Sequence, residues 1–231
     1  MKADGTSSAR IGIKLVIFDC DGVLIDSEAL CDRVVSAELH RAGWALSAAD
    51  CHRLFLGLTF PSIQDAAEVH LGRPLGAGWV DTVVERVTAV MGAEAEPVPG
   101  ARAALEATSA LGLPFRIASN SSHQELAAKF ARAGWSGLVA GRVHSAYDMI
   151  ALGKRGKPDP DLFLAAASAQ GVVPAACVVI EDSLAGVQAA VAAGMRCLGF
   201  SPDNDGAALR QAGALPFTPM LALPDLLRSL L

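Results

Sequence analysis

The chain has 231 residues, 52% of them hydrophobic and 19% charged, with a formal net charge of −5. That length can bury a large core and accommodates one large domain or a core with a small companion. The negative balance supplies no basic footprint for nucleic acid or an anionic membrane, so a small molecule is the expected partner. Five widely spaced cysteines, Cys20, Cys31, Cys51, Cys177 and Cys197, form no CxxC pair. This usage fits reduced thiols in a cytoplasmic protein.

Residues 1–12 are polar and small, without the cationic start and apolar core of a secretion signal, and are expected to be disordered. Leu15-Val16-Ile17-Phe18 reads as a strand buried on both faces, and it runs straight into Asp19-Cys20-Asp21-Gly22-Val23. Asp and Gly are ordinary turn residues, so the two acids could simply end the strand. Burying both is costly, however, unless a cation or a proton compensates them. Gly22 lets the backbone turn so that both acids face one crevice at the carboxyl end of the strand, where open α/β sheets bind ligands. Cys20 points the other way in an extended chain and is assigned to packing.

Between 25 and 96 the pattern turns helical, with segments at 27–42, 47–55, 61–71 and 80–91 and no convincing strand. A block of helices inside a strand and helix alternation indicates an insert, with Pro97-Val98-Pro99-Gly100 as its return hinge. The expected organisation is a leader over 1–12, a core from 13–24 and 97–231, and a helical domain over 25–96. Beyond the hinge, short apolar strands alternate with helices, which predicts an α/β fold with a parallel sheet covered on both faces.

Three later clusters carry polar groups. Phe115-Arg116-Ile117-Ala118 runs into Ser119 and Asn120. Lys157 stands in the stiff turn Gly156-Lys157-Pro158-Asp159-Pro160, ahead of a helix over 161–169. Cys177-Val178-Val179-Ile180 ends in Glu181-Asp182-Ser183, followed by a helix over 186–193. Acids and serine also favour helix N-termini, so Glu181 and Asp182 taken alone would read as caps. The uncharged stretch 162–180 is nominally long enough to span a bilayer, but Gln170-Gly171 and Pro174 divide it into helix, turn and strand. The histidines show no metal-ligand spacing, and only His123, close to Ser119, suggests a place near a site. Trp44, Trp79 and Trp135 are assigned to packing.

In order and type, Asp19-Cys20-Asp21-Gly22-Val23, Ser119, Lys157 in Lys-Pro-Asp-Pro, and Glu181-Asp182-Ser183 resemble the four motifs of the haloacid dehalogenase superfamily. The resemblance runs from about 14 to about 227 and is to the branch with a helical cap inserted after the first motif. It implies a Rossmann-like core and phosphoryl transfer, with Asp19 as the nucleophile that forms an aspartyl phosphate and Asp21 as acid and then base. It also implies Mg²⁺, since an anionic nucleophile must approach an anionic phosphate. Asp19 and Asp182 would hold that ion by their side chains, Asp21 by its backbone carbonyl, and Glu181 directly or from behind. Ser119 and Asn120 would receive phosphate oxygens, and Lys157 would neutralise charge on the transferring group.

Within the family, dehalogenases lack the second aspartate, so Asp21 points to phosphoryl transfer. Phosphonate-cleaving members carry a cap lysine, and none stands between 26 and 33. The mutases of the β-phosphoglucomutase group have a histidine where this chain has Cys31, an arginine where Phe60 aligns, and a lysine where Ser122 stands. A mutase must grip a bisphosphate, which needs a second cationic clamp. The loop 57–62 offers none, which leaves Arg33 and Arg53 as candidates. The expectation is therefore a Mg²⁺-dependent, monomeric phosphatase acting on a small phosphorylated metabolite, a sugar phosphate. It resembles the 6-phosphogluconate phosphatase-type members, which share the Asp19-Cys20-Asp21 and Asp26-Ser27-Glu28 forms. A phosphosugar mutase is the alternative, and a non-catalytic phosphate or metal-binding module is a remote one.

Overall fold

A computed structural model describes residues 12–231; the leader, apart from Gly12, lies outside the described residues. Strand β1 (Leu15–Phe18) is fully buried. Its two-residue period sends Leu15 and Ile17 into an apolar cluster on one face of the sheet, and Val16 and Phe18 into a second cluster on the other. Each such side chain contributes about 1.5–3 kcal/mol by leaving water, which fixes β1 at the centre.

After β1 the chain makes a short strand β2 (Ile25–Asp26) and four helices, α1 (Glu28–Ala42), α2 (Ala48–Phe55), α3 (Phe60–Leu71) and α4 (Trp79–Glu94). Strand β3 (Glu96–Pro97) then returns antiparallel to β2. The residue pattern showed no strand in 25–96, because a two-residue ribbon is too short to carry an alternation. Next come α5 (Ala101–Ala110), β4 (Phe115–Ser119), α6 (His123–Arg132), α7 (Ser136–Val139), β5 (Val143–Ser145) and α8 (Ala146–Ala151). The chain closes with α9 (Asp161–Ala169), β6 (Cys177–Glu181), α10 (Leu184–Ala192), β7 (Arg196–Phe200), α11 (Ala207–Ala212), β8 (Leu215–Phe217) and α12 (Leu223–Arg228).

The main sheet has the order β5-β4-β1-β6-β7-β8, with every pairing parallel. This is a Rossmann-like α/β arrangement flanked by helices. Because β4 and β6 are the two neighbours of β1, Asp19, Ser119 and Glu181 emerge side by side at one edge of the sheet. The apolar cluster holding Phe18, Phe115 and Ile180 continues without a break into Leu39, Phe55, Val83 and Met91 of the four-helix insert. Trp135 is buried, and Trp44 and Trp79 pack against this cluster, Trp44 edge-on to Phe55. Stretch 162–180 divides into α9, a turn and β6, and among the described residues no helix is long and apolar enough to cross a membrane.

Candidate active site

Lys157 ties two strand ends together. Its Nζ donates to Asp19 Oδ1 at 2.5 Å and to Glu181 Oε1 at 2.6 Å, and it lies 4.9 Å from the centre of the Phe163 ring. Glu181 is fully buried, and its Oε2 accepts from Asp182 N, Ser183 N and Ser183 Oγ, each at 3.0 Å. A buried carboxylate needs that many donors to offset its lost hydration. The start of α10 passes so close that a methyl group at Gly186 would overlap the Glu181 carboxyl group. Only glycine fits there.

Asp21 is held differently. It accepts from Ser27 Oγ at 2.5 Å, Ser119 Oγ at 3.0 Å, Ser121 Oγ at 2.9 Å and Lys129 Nζ. Lys129 is itself 1% exposed and also donates to Ser121 Oγ at 2.8 Å. Burial alone would raise the Asp21 pKa, but Lys129 and the hydroxyl donors outweigh it and hold this carboxyl group at about 2. Lys129 and Ser121 escaped the sequence reading, since a helix lysine is usually solvated. One signal was available: Lys129 falls beside Leu126 and Phe130 on the buried stripe of α6.

Asp19 shows the opposite shift. Burial pushes it up to about 8, against the pull of Lys157 and with the repulsion of Glu181 and Asp21. Asp182 is raised well above the ordinary carboxylate range by burial and by Glu28, Glu181 and Asp19. Asp19, Glu181 and Asp182 can each offer an oxygen with all three atoms within 4.8 Å of one another. Moreover, Asp182 Oδ1 is buried without a hydrogen-bond partner. An orphaned carboxylate oxygen in the pair Asp19 and Asp182, the two acids of the cluster with raised pKa values, fits a cation site, and hard oxygen donors suit Mg²⁺. Since protein donors engage both oxygens of Glu181, Asp19 and Asp182 are the side chains left to hold such an ion directly.

Asn120 and Ser119, the residues expected to meet phosphate oxygens, are hydrogen-bonded within the protein. Asn120 Oδ1 accepts from Lys157 N at 2.9 Å, while its Nδ2 donates to Gly57 O at 2.7 Å and Lys157 O at 3.2 Å. All its polar atoms serve to brace Lys157 and to latch the loop between α2 and α3 onto the core. Gly57 has φ +76°, and an added Cβ would lie 2.9 Å from Ser183 Oγ, so the latch also requires glycine. The Ser119 hydroxyl is likewise engaged, donating to Asp21 and accepting from Ser121 N at 3.0 Å. His123 pairs with Asp148 at the surface, Nε2 to Oδ1 at 2.7 Å, and takes no part in the centre. Ser122 closes a capping box with Glu125 at the start of α6. Arg33 and Arg53 form exposed ion pairs with Glu94 and Asp50. Cys20 is buried in the core.

Above these groups lies a crevice whose lining combines Asp19, Asp21, Lys157 and Asp182 with Cys31, Leu58 and Phe60 from the helical insert.

A family model described as haloacid dehalogenase-like hydrolase matches residues 13–194. The chain is 29% identical over 215 residues to the 6-phosphogluconate phosphatase of Escherichia coli (strain K12), covering 93% of this chain and 94% of that protein. Among solved structures it resembles a conserved haloacid dehalogenase-like protein of unknown function from Agrobacterium tumefaciens strain C58. Identity there is 35%, with 94% of this chain and 99% of that one covered and a TM-score of 0.76. A family hydrolase from Deinococcus radiodurans R1, solved with bound phosphate and sodium, is 32% identical with a TM-score of 0.69, covering 94% of this chain and 98% of that one.

Proposed function

This chain belongs to the haloacid dehalogenase-like hydrolase family, and on that premise we propose that it hydrolyses a small phosphomonoester, a sugar phosphate, through an aspartyl-phosphate intermediate. The observation that carries the proposal is the Lys157 bridge between Asp19 and Glu181 beside the unpartnered Asp182 Oδ1. It sets a potential nucleophile, a fixed cation and a free hard ligand in one buried place. Asp19 and Asp182 would hold Mg²⁺, with the Asp21 carbonyl as a third donor and Glu181 behind. When bound, that ion supplies positive charge that restores Asp19 to its ionised form and draws in the phosphate dianion.

In the first displacement a carboxylate oxygen of Asp19 attacks phosphorus and the bond to the ester oxygen breaks. The departing oxygen needs a proton, which Asp21 would supply. Because Lys129 holds Asp21 ionised in the resting state, this step requires Asp21 to swing off Lys129 and pick up a proton as the substrate enters. In the second displacement Asp21 accepts a proton from water, the hydroxide attacks phosphorus, and Asp19 departs as a carboxylate with inorganic phosphate released. The four serine and lysine donors already hold Asp21 in the state suited to this step. Lys157 stays beside Asp19 throughout and takes up charge on the transferring group.

Residues 25–96 would act as a cap over the core of 13–24 and 97–231, with the Asn120 to Gly57 bond marking its closed position. A mutase is disfavoured because Ser122 caps a helix and Arg33 and Arg53 face other partners, so none of these three supplies a second phosphate clamp. The test is phosphate release from sugar phosphates with Mg²⁺ and with chelator, followed by acid quenching of ³²P-labelled enzyme and peptide mapping. Label on the peptide that contains Asp19 supports the mechanism. Steady turnover with no label on that aspartate at any time would sink it.

A further inference from the structure

The crevice carries more acids than bases. Beyond the reaction centre its lining adds Glu28 and Asp32 from α1 and Glu125 from α6, set among apolar side chains such as Leu58 and Phe60. Among the described residues its cations are Lys157 and Lys129, and both ammonium groups are already committed, to Asp19 with Glu181 and to Asp21. His52 lies outside the lining and is paired with Asp32, Nδ1 to Oδ2 at 2.9 Å. The loop between α2 and α3 is latched onto the core through Gly57, so a bound alcohol would sit against the apolar side chains of that loop and of α3. Screening is weak in such a place, and like charges repel strongly.

We propose that the substrate's alcohol half is an uncharged polyol or sugar, and that esters bearing a second anion, a carboxylate or another phosphate, are excluded by charge. The inference rests on the phosphatase reading and adds to it the charge of the substrate. Glu28 shares a hydrogen bond with Asp182, so hydroxyl groups of such an alcohol donate chiefly to Asp32, and its carbon skeleton lies against Leu58 and Phe60. A second anion at that end would be buried beside carboxylates with no cation free to receive it.

The test measures phosphate release, with Mg²⁺, from sorbitol 6-phosphate and glucose 6-phosphate against 6-phosphogluconate and fructose 1,6-bisphosphate, with p-nitrophenyl phosphate as a control for the chemistry. kcat/KM for the neutral alcohols is expected to exceed that for the anionic ones by about 10- to 100-fold, the size of one weakly screened repulsion at a few ångströms. Asp32→Asn should narrow that ratio by about tenfold, and Leu58→Arg, which adds the absent cation, should narrow or invert it. Calorimetric binding of the same esters to Asp19→Asn gives the ranking without turnover. Equal or better use of 6-phosphogluconate or the bisphosphate overturns the proposal and leaves the phosphatase reading intact. No release from any ester, p-nitrophenyl phosphate included, removes that reading and the proposal with it.

Discussion

The strand-end centre and the chamber above it are built on opposite terms. At the strand ends nearly every polar atom has a designated partner: Glu181 takes four donors, Asp21 takes four, and Lys157 bridges two carboxylates. In the chamber, apolar side chains surround a few acids, and the loop that closes it is fastened by the Asn120 amide. Parallel strands buried on both faces hold the first set rigidly, whereas the second rides on a loop between helices. Chemistry that tolerates little displacement is placed on the sheet. On the proposed function, discrimination among alcohols would fall to the loop and the helices around it.

If that division is right, Asp19→Asn should lower phosphate release by about 10⁴-fold or more without loss of fold, because a neutral amide is cheaper to bury than a carboxylate. Steady-state assays with urea unfolding of the same sample decide it, and a folded variant that keeps its turnover breaks the division at its centre. Lys157→Met should be felt in stability as well. Removing the bridge leaves buried carboxylates unpaired, at a cost of about 3–5 kcal/mol, read as a lower urea midpoint. An unchanged midpoint would mean that the strand ends do not depend on this cation.

The third prediction concerns pH and metal. Asp19 is raised in the folded state to about 8, whereas in the unfolded chain it titrates near about 4. Between those values the folded state binds more protons, so metal-free protein should lose stability as pH rises from about 4 to about 8. A cation bound at Asp19 and Asp182 should reverse this. Saturating Mg²⁺ is expected to raise the melting temperature by about 5–10 °C at pH 8, from about 2–3 kcal/mol of linkage, and by less at pH 5. An equal shift at both pH values would place the ion elsewhere.

Smaller effects belong to the chamber and the surface. Asn120→Ala removes the latch on Gly57 and a brace on Lys157, and should cost about 1–2 kcal/mol of stability while raising KM by more than it lowers kcat. A drop confined to kcat would place Asn120 with the reacting groups after all. His123→Ala should change stability by no more than about 0.5 kcal/mol and leave kcat/KM within about twofold. A larger loss would extend the centre past the start of α6.

Strand β1 was legible because four apolar residues running into Asp-x-Asp-Gly have few other ways to be satisfied, and the same held for β6 before Glu181-Asp182. The helices of the insert stood out through their 3.6-residue period. The β2 and β3 ribbon did not, since two residues have no period. Lys129 was hidden for another reason: a lysine on an amphipathic helix looks solvated until the helix is seen to lie with that face over Asp21. Sequence order puts Asn120 next to Ser119, and nothing along the chain shows that its amide reaches Gly57 and Lys157, 63 and 37 residues away.

Local pattern therefore determined the fold class, the position of Asp19, Asp21, Lys157, Glu181 and Asp182 at strand ends and turns, and the presence of a helical insert. Propensity, periodicity and the cost of burying charge act within a few residues and can be read along the chain. Which donor meets which carboxylate was decided by tertiary structure alone. So were the opposite pKa shifts of Asp19 and Asp21 and the acid-rich lining of the crevice, because electrostatic energy depends on distances and burial that arise only when α6, the loop around Gly57 and the ends of β1 and β6 are brought together.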